Sequence, residues 1–93
     1  MIAKPTIKTQ PSNKTAKVGD NVTFKVKASG SGLKYQWYVR SSSKADWKAI
    51  AGATSADLTI SSVKKSWNGR QYRCRVYNDA GIIYTKAATL NVK

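Results

Sequence analysis

The sequence predicts an all-β fold, a sandwich or barrel of short strands, and three observations carry that prediction. Short runs alternate apolar and polar residues with period two, clusters of Gly, Ser, Asn and Asp separate them at the spacing of a sandwich or barrel, and no run keeps the periodicity of a helix. A chain of 93 residues buries only about 60 to 65% of the surface its unfolded form exposes. That supports one thin core and excludes a second, so residues 1–93 read as a single domain.

Val22 to Lys27 is the first clear strand, with Val22, Phe24 and Val26 on one face and Thr23, Lys25 and Lys27 on the other. Val18-Gly19-Asp20-Asn21 is a turn before it, and Ala28 to Gly32 reads as a flexible loop after it. Leu33 to Arg40 follows, with Leu33, Tyr35, Trp37 and Val39 inward and Lys34, Gln36, Tyr38 and Arg40 outward. Beyond the polar loop Ser41 to Asp46, Trp47 to Ile50 reads as a short edge strand ending at Ala51-Gly52. Asp57 to Ser61 alternates again, with Leu58 and Ile60 inward.

Val63 to Gly69 reads as a crossover between sheets, with Asn68-Gly69 as a turn that tolerates positive φ. Gln71 to Tyr77 is the best-defined strand: Tyr72, Cys74 and Val76 face one way, and Gln71, Arg73, Arg75 and Tyr77 the other. Asn78-Asp79-Ala80-Gly81 is a hairpin turn. Ile82 to Val92 then returns as one long terminal strand with Ala88, Leu90 and Val92 inward.

Composition narrows the chemistry. Seventeen Lys or Arg stand against four Asp, with no Glu and no His, for a formal net charge of +13. Without His, Glu or a cysteine pair the usual general bases, nucleophile–base pairs and soft metal sites lack raw material, so the expectation is no catalytic residue, no metal and no cofactor. Asp20, Asp46, Asp57 and Asp79 sit singly and form no liganding cluster. No apolar run approaches the about 18 residues of a membrane span, and the opening residues lack the apolar core of a signal peptide. Residues 1–4 read as added or linker residues on a module of a longer chain. A lone Cys74 cannot form an intrachain disulfide, so the fold rests on packing and the redox compartment stays open.

Phe24-x-Val26, Tyr35-Gln36-Trp37-Tyr38, Leu58-Thr59-Ile60, Tyr72-Arg73-Cys74 and Asn78-Asp79-Ala80-Gly81 together resemble strands B, C, E, F and the F–G turn of an immunoglobulin-like domain, over nearly the whole chain. The resemblance implies a two-sheet antiparallel β-sandwich of about seven to eight strands without a disulfide, in which Trp37 is the buried strand-C tryptophan, Tyr72 the hydrogen-bonding tyrosine-corner residue and Cys74 the strand-F cysteine. Val26 stands where the family has its strand-B cysteine, an apolar substitute beside a buried thiol. The phrases Gly52 to Ile60 and Asn68 to Cys74 look like the I-set-like repeats of bacterial surface and secreted proteins. Asn68 stands where the animal pattern has Asp. Such repeats imply an extracellular, non-catalytic spacer or adhesion module, monomeric within a longer chain.

The surface residues carry the partner expectation. The register puts Lys34, Tyr38, Arg40, Arg73, Arg75 and Tyr77 on one outward face, with Trp47 nearby, a set suited to anionic glycan, cell-wall polymer or a protein partner. The same charge, spread over Lys4, Lys8, Lys14, Lys17, Lys25, Lys27 and others, also reads as a solvated surface that guards strand edges. Trp47 reads as cover for the core edge or as a ring that stacks on a sugar or base, and Trp67 as a plug at the bottom of the sandwich. Val26, Trp37, Leu58, Tyr72 and Cys74 are expected core. A nucleic-acid-binding immunoglobulin-like domain is less favoured, because the Ser-, Gly- and Ala-rich loops offer little to read base edges. An engineered immunoglobulin-like binding scaffold is the remaining alternative.

Overall fold

The computed structural model describes residues 3–93; Met1 and Ile2, half of the expected linker 1–4, lie outside the described residues. Ten strand segments follow one another: β1 (Thr6–Thr9), β2 (Lys14–Ala16), β3 (Val22–Lys25), β4 (Lys27–Ser29), β5 (Lys34–Arg40), β6 (Lys48–Ala49), β7 (Asp57–Ile60), β8 (Gln71–Asn78), β9 (Gly81–Tyr84) and β10 (Ala88–Val92). The larger layer runs β2-β10-β8-β5-β6 with β9 also on β8, and the other comprises the pairs β1-β4 and β3-β7. All pairings are antiparallel except β10 with β2.

The alternation read from the sequence places the core. Val22, Phe24, Val26, Trp37, Leu58, Tyr72, Cys74, Val76, Ala88, Leu90 and Val92 are all buried. Phe24 and Tyr72 stack across the two layers with ring centroids 5.0 Å apart. Trp37 is fully buried, and its indole N–H donates to the Ser55 carbonyl at 2.8 Å, which satisfies the one polar atom the ring carries inward. Cys74 pairs in register with Trp37 and is a free, buried thiol.

Four expectations need correction. Ala28 and Ser29 are not loop: they continue strand B as β4, paired with β1. The edge strand near Trp47 shrinks to Lys48–Ala49, because Trp47 turns onto the sheet face while Ile50 turns toward the core. The expected single terminal strand breaks between Tyr84 and Ala88. There Thr85 is buried; its hydroxyl accepts the Cys74 N–H at 2.9 Å and its own N–H donates to the Cys74 carbonyl at 2.9 Å, so one residue holds β8 with both backbone and side chain. The expected count of about seven to eight strands rises to ten, since Val26 divides β3 from β4 and Thr85 to Ala87 divide β9 from β10. The Tyr72 hydroxyl has Arg70 beside it, and burial pushes that phenol's pKa up.

Segments β1 and β2 have no counterpart in the expected strands. The chain crosses between layers after Thr9, through buried Pro11, and side-chain amides fasten the crossing. Gln10 Oε1 accepts the Lys86 N–H at 2.9 Å and Asn13 Oδ1 accepts the Thr89 N–H at 2.8 Å. In the crossover between β7 and β8, residues Lys65–Trp67 form one 3-10 turn, and Gly69 takes the positive φ of 88° expected of the Asn-Gly pair.

Candidate functional site

Strands β5 and β8 pair over their full lengths, Lys34 opposite Tyr77, Gln36 opposite Arg75, Tyr38 opposite Arg73 and Arg40 opposite Gln71. Successive residues alternate faces, so this register puts the whole expected outward set on one side of the sheet. The hairpin Asn78–Gly81 adds β9, with Ile82 opposite Tyr77 and Tyr84 opposite Arg75. Asn78 builds that turn by accepting the Ala80 and Gly81 N–H groups on Oδ1 at 2.9 and 3.2 Å. The face therefore extends onto β9, where Ile82 and Tyr84 are exposed at 49% and 48%.

The chain has only four arginines, Arg40, Arg70, Arg73 and Arg75, all on or beside these two strands, whereas its lysines are scattered. Every one of the four lies over an aromatic ring. Arg40 and Arg73 both sit over Trp47, at 4.3 and 4.6 Å; Arg73 also meets Tyr84 at 4.4 Å; Arg75 covers Tyr77 at 4.6 Å; Arg70 covers Trp67 at 5.0 Å. Stacking on the π-faces orients each guanidinium, and the in-plane N–H groups remain its donors. Arg75 is held charged above the ordinary arginine range, first by hydrogen bonding to the Tyr38 hydroxyl, against a smaller opposing effect of burial. The Nε atoms of Arg73 and Arg75 are buried without a hydrogen-bond partner among the described residues.

Trp47 lies with this face, under the guanidinium groups of Arg40 and Arg73. Trp67 does pack against the core and carries Lys64 as well as Arg70 over its ring. Lys34 is exposed at one end of the face, and Tyr38 lies half-buried near its middle. Tyr84 was missing from the expected set, although the Asn78–Gly81 turn fixes its register opposite Arg75. Arg70 was missed because its parity along the strand points it inward; it reaches the surface only where the sandwich ends.

Cys74 has no route to chemistry. It is fully buried on the opposite face from Arg73 and Arg75, and burial pushes its thiol pKa up to about 12. Among the described residues no group of three His, Cys, Asp or Glu side chains could hold a metal ion, and no helix is long and apolar enough to cross a membrane.

The family model described as immunoglobulin domain matches residues 4–78. The chain is 32% identical over 90 residues to endoglucanase C of Cellulomonas fimi, covering 96% of this chain and 8% of that protein. It is 28% identical over 93 residues to cartilage intermediate layer protein 2 of Mus musculus, covering 98% of this chain and 8% of that protein. It therefore spans less than a tenth of the curated relatives it matches. Among solved structures, a three-part fragment of the titin I-band is similar with a TM-score of 0.78 at 26% identity, over 99% of this chain and 33% of that one.

Proposed function

The chain belongs to the immunoglobulin domain family, and from that premise we propose that residues 1–93 are one non-catalytic spacer and adhesion module of a bacterial surface or secreted protein. Its β9-β8-β5-β6 face binds anionic glycan or cell-wall polymer. The observation that carries this reading is the focusing of all four arginines onto one region, with Arg40, Arg73 and Arg75 stacked on Trp47, Tyr84 and Tyr77 at 4.3 to 4.6 Å on a single sheet face. Lysines that only keep a surface soluble have no reason to be so placed, and long flexible ammonium groups lack the planar donors that a carboxylate, sulfate or phosphate matches.

The small share of each curated relative that the chain spans supports the role of one module among several, and the Cellulomonas fimi relative supports the bacterial assignment. Val26, buried in the same core cluster as Cys74, fits the reading that an apolar residue replaces the strand-B cysteine.

The test is a tryptophan-fluorescence titration, with Trp47 as reporter, of an acidic polysaccharide, duplex DNA and a neutral glycan at about 50 and 200 mM salt, the range over which ionic contacts lose much of their affinity. Substituting Arg40, Arg73 and Arg75 together by Ser is expected to weaken acidic-polysaccharide binding and flatten its salt dependence by about two to three ionic contacts. An unchanged slope would remove these residues from the site.

A further inference from the structure

Resting on that polyanion-binding reading and deepening it, we propose that a depression beside the end of β5 is a subsite for a carboxylated sugar unit, so that the ligand is a uronate-type acidic polysaccharide. The depression has a volume of about 470 Å³, and Arg40, Lys48, Arg70, Ser41 and Asp46 are among its walls. That size is within the range of about 300 to 1,000 Å³ typical of small-ligand sites, and three cations converge on it from three different segments.

Two of those cations are held in place. Arg40 donates from Nε to Gln71 Oε1 at 2.7 Å and lies over Trp47, two contacts that brace its guanidinium. Arg70 has its backbone fixed at both ends, its N–H donating to the Trp67 carbonyl at 3.1 Å and its carbonyl accepting the Leu90 N–H at 2.8 Å, while its guanidinium lies over Trp67. Guanidinium groups braced by rings lose little freedom on binding, and their paired N–H groups match the two oxygens of a carboxylate.

Asp46 decides which anion. A phosphodiester, or a sugar whose ring hydroxyls are esterified with sulfate, brings mainly acceptor oxygens, which the Asp46 carboxylate repels. A sugar acid brings hydroxyls beside its carboxylate, and these donate to Asp46 and exchange hydrogen bonds with Ser41. Arg40 belongs both to this depression and to the stacked row on the sheet face. A polymer seated here would therefore continue past Arg73 and Arg75, whose Cα atoms are spaced about 7 Å apart along the strand.

The experiment titrates the full chain with an oligogalacturonate, a sulfated oligosaccharide of equal charge, a neutral oligosaccharide and single-stranded DNA at about 50 mM salt. Arg70→Gln is expected to weaken the oligogalacturonate about tenfold and the sulfated ligand and DNA only about two- to threefold, the loss of one cation from the region. Lys48→Gln, at an exposed position, serves as the second variant should Arg70→Gln fail to fold, with the same selective direction. Asp46→Ala is expected to strengthen sulfated and DNA ligands while reducing the preference for uronate. Arg75→Gln, outside the depression, is expected to weaken all polyanions alike. If Arg75→Gln acts as expected but the variants in the depression change no preference, the subsite is wrong and the face stands. If no polyanion binds better than the neutral sugar, the polyanion reading fails and the subsite with it.

Discussion

Cys74 shows how a residue's chemistry follows from its place on a strand. It lies between two arginines in sequence, a setting that would lower a thiol pKa if all three shared an environment. Alternation along β8 separates them, and burial instead pushes the thiol from 9.0 up to about 12. The neutral thiol is therefore favoured in the folded state. That contribution is fully present below pH about 9, where the unfolded thiol begins to ionise, and is lost as pH rises toward the folded value. Tyr72, whose pKa is likewise raised by burial, adds in the same direction above its ordinary 10.0. Thermal unfolding followed from about pH 6 to 11 should give a flat midpoint to about pH 8 and a fall above about pH 9, made shallower by Cys74→Ala. A thiol-specific alkylating reagent at about pH 8 should label the chain only once denaturant unfolds it. Rapid labelling of the native protein would contradict the burial.

At the scale of the strand, the break between β9 and β10 is tied to β8 by the Thr85 side chain. Thr85→Val keeps the volume but removes the oxygen that accepts the Cys74 N–H, leaving a buried donor unsatisfied at a cost of about 1 to 3 kcal/mol. Denaturant unfolding should show that loss, and hydrogen exchange should show faster opening at the Cys74 amide; an unchanged midpoint would mean that another acceptor replaces the hydroxyl. The break also shows where a linear sequence stops being readable. Strands β3, β5, β7 and β8 could be found because each buries alternate large residues, and the same register located the outward face. Segments β1 and β2 bury little beyond part of Ile7 and Ala16, so no alternation marks them. Their positions are set by Gln10 and Asn13 bonding Lys86 and Thr89 across the fold, contacts between residues 76 apart that no local pattern encodes. Arg70 was hidden for a related reason: its inward parity reads as core, and only the end of the sandwich lets it out. Tyr84 was within reach of the sequence, since the hairpin turn already fixes its partner.

Over the whole molecule, a charge of +13 on 93 residues makes salt act in opposite directions on folding and on binding. The folded state brings like charges closer than the unfolded chain does, and the four acids, all exposed, are too few to offset them. Screening at higher ionic strength relieves that repulsion, because the Debye length falls from about 30 Å at 0.01 M to about 8 Å at 0.15 M. The unfolding midpoint of the free protein should therefore rise with added sodium chloride. An acidic polysaccharide that binds only the folded form stabilises by mass action, and at a hundredfold excess over its Kd contributes about 2.7 kcal/mol. Salt weakens that contribution because the counterions released on binding gain less entropy when the bulk solution already holds more of them. With acidic polysaccharide in excess, the midpoint should start high at low salt and fall until it meets the rising curve of the free protein. A series of melts with and without polysaccharide, from about 10 to 500 mM salt, checks this crossing of trends. Parallel curves would mean that the arginine face contributes nothing specific to binding, and a falling midpoint for the free protein would mean that attractive pairs outweigh the net charge in holding this fold together.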